Sequence, residues 1–196
     1  SEMCIRDSSW SLQGEGLACL DPASGRLNPN EAGVGEERII HDPWRPVPAI
    51  GGHLSPSSGP ADRQSLDARS DVATFTTAPL DEPIELSGQP QLQIRAGADQ
   101  PGFDLCLVLS RLPQGSAAVE QLSSGVLRVL GAEAEQMVER RVLLQPLLVT
   151  CSAGDRLRLS IAAAAWPAIG VNPGTPEHPC GCLLYTSPSP RDDGVS

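Results

Sequence analysis

The chain has 196 residues, 40 % hydrophobic and only 3 % aromatic, with a formal charge of −10; all 14 basic residues are arginine. This acidic balance excludes a nucleic-acid surface, which needs clustered positive charge, and no apolar run reaches the roughly 20 residues of a membrane helix. The 19 glycines and 19 prolines have no period, which excludes collagen; set between short apolar runs, they predict one all-β domain with many turns.

In chain order, residues 9–70 read as irregular, with Trp10 and Leu12 as the first apolar anchors. Residues 21–37 are turn formers and charge, a surface loop. Residues 38–54, RIIHDPWRPVPAIGGHL, form an extended path held by their prolines, and Gly51-Gly52 then permits a tight bend. Residues 55–71 read as a polar connector. Strands are predicted over 72–77, in the second half of 79–88, and over 91–98, where Leu92 and Ile94 share one face and Gln91, Gln93 and Arg95 the other. Residues 103–112 are apolar on both faces, as in an internal strand of a packed sandwich, and 113–115 make a turn. Residues 124–131 and 155–165 are further strands, the last with Leu157, Leu159 and Ile161 inward and Arg156 and Arg158 outward. Between these, 132–149 has helical propensity in its first half; the expectation is a turn, then a strand from about Met137 that breaks at Pro146. The whole pattern is a β-sandwich or barrel.

A search for chemistry finds little. There is no Gly-x-Ser-x-Gly elbow, no glycine-rich phosphate loop and no paired zinc-ligand spacing, so no catalytic residue, metal or cofactor is predicted. His41 adjoins Asp42, but adjacency does not make a dyad, and an ordinary packed ring is the expectation. Asp81-Glu82 sits in a turn and reads as solvated. Of the six cysteines, Cys106 and Cys151 lie in apolar runs and read as buried free thiols.

The two ends are related to each other. One coding strand for residues 3–8, ATGTGTATAAGAGACAG, has a reverse complement that reads Cys-Leu-Leu-Tyr-Thr in one frame, the sequence of residues 182–186. Both ends resemble a translated sequencing adaptor, so 1–8 and 182–196 are expected to be non-native, with a fragment of a longer protein between them. Cys180-Gly-Cys182 then straddles the junction and is not a metal or redox site. Removing those tails leaves 12 arginines and 20 acidic residues, net −8, so the domain stays acidic. The expected organisation is a Pro/Gly-rich lead-in over 9–71 and a sandwich body over 72–181. With no charged-then-apolar leader, a cytoplasmic parent is expected over a secreted one.

Several ordered pieces carry a family resemblance. These are Asp42-Pro43 with Pro46-Val47-Pro48 and Gly51-Gly52; Gly59-Pro60 with Asp62; Arg69-x-Asp71-Val72 with Phe75-Thr76-Thr77; and Pro79-Leu80 with Gly88. Phe103-Asp104, Gly125-Val126-Leu127-Arg128, Gly154-Asp155-Arg156-Leu157, Trp166-Pro167 and Asn172-Pro173-Gly174 follow. Over about residues 10–176 the chain resembles the C-terminal, non-catalytic domain of X-Pro dipeptidyl-peptidase-like hydrolases, the CocE/NonD group of cocaine esterase-type acyl esterases. The resemblance implies a jelly-roll, galactose-binding-like sandwich packed on an α/β-hydrolase domain of the same parent, whose Ser-His-Asp triad lies outside this region. It admits a homo-oligomer of that parent. It also implies that the turn after Gly51-Gly52 lies near the active-site cleft, so that His53 and Leu54 either line the substrate pocket or only pack against the neighbouring domain. The sequence departs from the family at Asp155, where the Gly-His-Arg-Leu step has histidine. It departs again after Gly174, where a final strand is expected to be missing. The expected function is an accessory domain that helps shape the cleft of a serine hydrolase acting on X-Pro dipeptides or acyl esters, itself inactive. The alternative is a stand-alone jelly-roll module for carbohydrate or another ligand.

Overall fold

The structure is a computed structural model, and it describes residues 8–29, 32–52 and 61–179. Among these residues it is a β-sandwich with one short α-helix. The strands are β1 (Ser11–Gln13), β2 (Arg26–Asn28), β3 (Val72–Thr77), β4 (Ile84–Gly88), β5 (Gln91–Ala96), β6 (Gly102–Leu112), β7 (Glu120–Leu130), β8 (Val138–Leu143), β9 (Leu147–Cys151) and β10 (Arg156–Ala162), with helix α1 (Gln64–Asp67) ahead of β3. One layer is a six-stranded sheet in the order β1-β2-β3-β10-β6-β7.

The other layer is a bent two-stranded ribbon. β4 pairs with β9 and β5 with β8, both antiparallel. At the bend, Gln89 and Pro90 face the three residues 144–146, and this extra residue turns the ribbon. Leu144 N donates to the Pro90 carbonyl at 2.9 Å and Gln89 Nε2 to the Leu144 carbonyl at 3.0 Å, so the backbone stays paired through the bend. Pro146 breaks the strand here, as its sequence position predicts, because it has no N–H to give to the ladder.

Period-two patterning places the core. In β10, Leu157, Leu159 and Ile161 are buried, and Leu159 and Ile161 stand opposite Phe75 and Ala73 of β3 and Leu109 and Leu107 of β6. Leu159, Ile161, Phe75, Ala73, Leu107 and Leu109 meet Leu92, Ile94, Val142 and Leu144 of the ribbon in one cluster. Burying each such side chain is worth about 1.5–3 kcal/mol. β6, apolar on both faces, is internal as expected, between β10 and β7.

Four local expectations are corrected. Residues 21–37 are not all surface loop: β2 lies within them, antiparallel to β1 and parallel to β3, with Leu27 buried in the core. The connector at 55–71 contains α1. Arg158 does not face solvent; it lies under α1, because both faces of the six-stranded sheet are covered. The strand expected from 124 begins at Glu120.

Candidate functional site

The outer face of the six-stranded sheet is where residues 45–51, α1 and residues 163–179 converge. Alternation sends Thr76, Arg158, Ser110, Ser160, Val108 and Cys106 to this face. Asp62 starts α1 by accepting from Gln64 N (3.0 Å) and ties it to the sheet by accepting from Val119 N (2.9 Å); these amides hold its carboxyl below the usual range. One turn on, Asp67 accepts from Ser160 Oγ at 2.9 Å. It also lies 3.5 Å from Arg63 Nε and 3.4 Å from Arg158 Nη1, so two guanidinium groups share one carboxylate. Arg158 further donates to Thr76 Oγ1 at 2.9 Å. Burial pushes the Arg63 pKa down, against the pull of Asp67. The sequence signal for this cluster was the i,i+4 spacing of Arg63 and Asp67 in a stretch with a single large apolar residue, Leu66. It was missed because a four-residue helix has no periodicity to detect.

Two latches hold the covering segments down. Arg69 binds Asp71 through both Nε and Nη2 and donates to the Arg45 carbonyl at 2.8 Å, fixing the turn at 42–45; the same bonds lower the Asp71 pKa. Arg128 grips Asp104 through two bonds, 2.8 and 2.7 Å, and reaches the Gly170 carbonyl. His41 is a packed ring, as expected: its Nε2 donates to the Asn172 carbonyl at 3.0 Å. Trp166 N donates to the Val47 carbonyl and Ala49 N to the Trp166 carbonyl, pinning the proline-rich path beside residues 163–170. Trp44, three residues before Val47, is 69 % exposed and Trp166 is 48 % exposed. The path ends in Gly51 and Gly52 at φ +60° and +71°, a conformation that favours glycine. His53 and Leu54, expected to follow this turn toward the cleft, lie outside the described residues.

Beneath residues 47–51 is a cavity of about 50 Å³. Its lining includes the polar Arg63, Gln121, Ser124 and Ser160 and the apolar Cys106, Val108, Val126, Ala162, Ala165 and Ala168.

Among the described residues no three His, Cys, Asp or Glu side chains gather to hold a metal ion. Cys106 and Cys151 are buried free thiols, as expected, and burial raises the pKa of each. Asp81 and Glu82 are exposed in their turn. His178 is exposed.

The sequence model of one family, the X-Pro dipeptidyl-peptidase C-terminal non-catalytic domain, matches residues 5–182. The chain belongs to that family. In keeping with this membership, it is similar to the cocaine esterase of Rhodococcus sp. (strain MB1 Bresler): 30 % identical over 156 residues, covering 76 % of this chain and 25 % of that protein. Among solved structures it resembles an aminopeptidase from the marine sediment archaeon Thaumarchaeota archaeon, with TM-score 0.69 and 18 % identity over 86 % of this chain and 31 % of that one. It also resembles an α-amino acid ester hydrolase, with TM-score 0.69 and 21 % identity over 89 % of this chain and 31 % of the other. The chain thus spans a quarter to a third of the relatives it matches, and the two structural matches speak for the fold of this non-catalytic domain alone.

Proposed function

We propose that this chain is the C-terminal accessory domain of a serine hydrolase of the X-Pro dipeptidyl-peptidase or acyl-esterase type. It would pack on an α/β-hydrolase domain of the same parent and shape the substrate cleft with the turn that follows Gly51-Gly52. The family match over residues 5–182 carries this reading. The cocaine esterase relative supports the esterase side of it, and exposed Trp44 and Trp166 supply apolar surface for a neighbouring domain. The jelly-roll connectivity, the division into a lead-in over 9–71 and a body over 72–181, and His53 and Leu54 as cleft-facing residues belong to the same proposal. The reaction itself would be acyl transfer from a triad supplied by the other domain.

Two measurements test it. The reading frame upstream in the source DNA is expected to encode a Gly-x-Ser-x-Gly elbow, and a frame without one removes the hydrolase assignment. The chain alone is expected to turn over a nitrophenyl ester no faster than its heat-denatured control; activity above that control overturns the accessory reading.

One observation favours a second reading, a jelly-roll module that binds carbohydrate. Trp44 and Trp166 are exposed aromatic platforms beside one backbone path. Binding on a glycan array that is lost in Trp44→Ala would select it, and an empty array removes it.

A further inference from the structure

The cavity beneath residues 47–51 is bounded by Arg63, whose guanidinium its surroundings satisfy only in part. Arg63 is 4 % exposed and a guanidinium carries five N–H donors with no acceptor. Its hydrogen bond within the described structure is a long one, Nη1 to Gln121 Oε1 at 3.4 Å. Its Nε lies 3.5 Å from Asp67 Oδ1 yet is buried without a hydrogen-bond partner. Asp67 is already shared with Arg158 and Ser160, so the cluster holds one positive charge more than its carboxylate neutralises. A buried cation short of acceptors on a cavity wall favours an anion there, since an unpaired buried charge is costly and charge-assisted bonds are the strong ones.

The rest of the lining selects among anions. Val126, Ala162, Ala165 and Ala168 present methyl groups, which suit an alkyl tail and gain nothing from a hydrated inorganic ion. A volume of about 50 Å³ has room for about four water-sized centres, which matches acetate. Val126 is a wall residue and is 39 % exposed, so one side of the cavity lies close to solvent. We propose that this cavity is a binding site for a short-chain monocarboxylate, its carboxylate on Arg63 with Gln121 and Ser124 alongside, its alkyl end against Ala162, Ala165 and Ala168. The site stands whether or not the parent is a hydrolase, because every residue it uses lies in this domain.

The test titrates the whole ¹⁵N-labelled chain with acetate, propionate, hexanoate and chloride at constant ionic strength, following the Arg63 Nε–H resonance and the Tm. Acetate or propionate is expected to give a saturable shift and a rise in Tm that chloride does not, with hexanoate weaker because it exceeds the cavity. Arg63→Gln is expected to cut affinity about tenfold or more, as loss of a charge-assisted bond does. Should that variant fail to fold, Ala168→Leu, which fills the alkyl end and leaves Arg63 in place, is expected to lower affinity by a similar factor. Equal responses to chloride and carboxylates would mean a general anion effect without a carboxylate site, and full affinity in Ala168→Leu would mean that the carboxylate binds outside this cavity; either result overturns the proposal.

Discussion

Asp155 stands immediately before β10, and the structure shows what it does there. Its carboxylate accepts from Gln114 N at 3.0 Å and Ser152 N at 2.9 Å, joining the turn after β6 to the turn before β10. The Gln114 amide foremost, helped by that of Ser152, holds its carboxyl below the ordinary value of 3.8. A carboxyl depressed on folding contributes stability at neutral pH that is lost as pH falls through its native pKa. Asp155→Ala is therefore expected to cost about 1–2 kcal/mol in urea unfolding at pH 7, with the gap to the parent chain closing below pH 3.8. The thiols give a second residue-scale expectation. Cys106 and Cys151 are buried and their pKa values are raised by burial, while half-exposed Cys19 is pushed up to about 11 by burial and by Glu37 and Asp71. The thiolate is the reactive form. Brief alkylation at pH 8 followed by peptide mapping should leave Cys106 and Cys151 unlabelled and Cys19 slower than a free thiol, and all three should label fully in denaturant.

At the scale of elements, close approach and shared charge decide what is tolerated. A Cβ on Gly125 would collide with the Leu143 carbonyl, because here β7 passes against the end of β8, where Gln145 N also bonds the Ser124 carbonyl. Gly125→Ala is expected to cost about 1–3 kcal/mol or more through backbone displacement, whereas Gly14→Ala meets the Glu37 side chain, whose displacement loses its bonds from Gly16 N and Ala18 N but moves no backbone, so a smaller cost is expected; paired thermal melts compare them. Helix α1 is held by Asp67 between two arginines. Breaking a buried pair costs about 3–5 kcal/mol because a charge is left unpaired, while replacing all its members by apolar groups is often neutral. Asp67→Asn is therefore expected to destabilise strongly, and Arg63→Met/Asp67→Leu/Arg158→Met to recover most of that loss. If the triple variant were no better than Asp67→Asn, the cluster would matter for more than its charge.

At the scale of the whole molecule, the described residues close the sandwich on one flank and leave the other without a covering strand. The β8–β9 side of the ribbon meets β7 through Gln145 and Ser123. On the opposite side, β4 and β5 have no further strand neighbour among the described residues. Their inward residues Ile84, Leu86, Leu92 and Ile94 are only half-buried, while Val142 and Leu144 of the paired strand are fully buried. An unpaired edge with apolar flanks invites edge-to-edge association. Gln93→Lys, which puts a charge on that edge, is expected to lower the concentration-dependent light scattering of the chain; unchanged scattering would place any association elsewhere.

Much of this was legible in the chain itself. The periods of β3, β5, β6 and β10, the break at Pro146 and the buried thiols follow from alternation and from proline's missing N–H, which are local physics. The ordered pieces from Asp42-Pro43 to Asn172-Pro173-Gly174 were legible only as a resemblance to a family, and the family match over residues 5–182 agrees with it. β2, α1 and the burial of Arg158 were not legible. Three residues in a strand or four in a helix carry no period, and an arginine that alternates with leucine looks solvent-facing until another segment is laid over it. The sequence alone therefore determined the β-sandwich, its inward face and its family. Only the tertiary structure decided that the outer face is also covered, that Arg63 and Asp67 meet Arg158 some 90 residues on in the chain, and that a cavity lies between them and the proline path. These depend on contacts between segments distant in sequence, which local patterning does not encode.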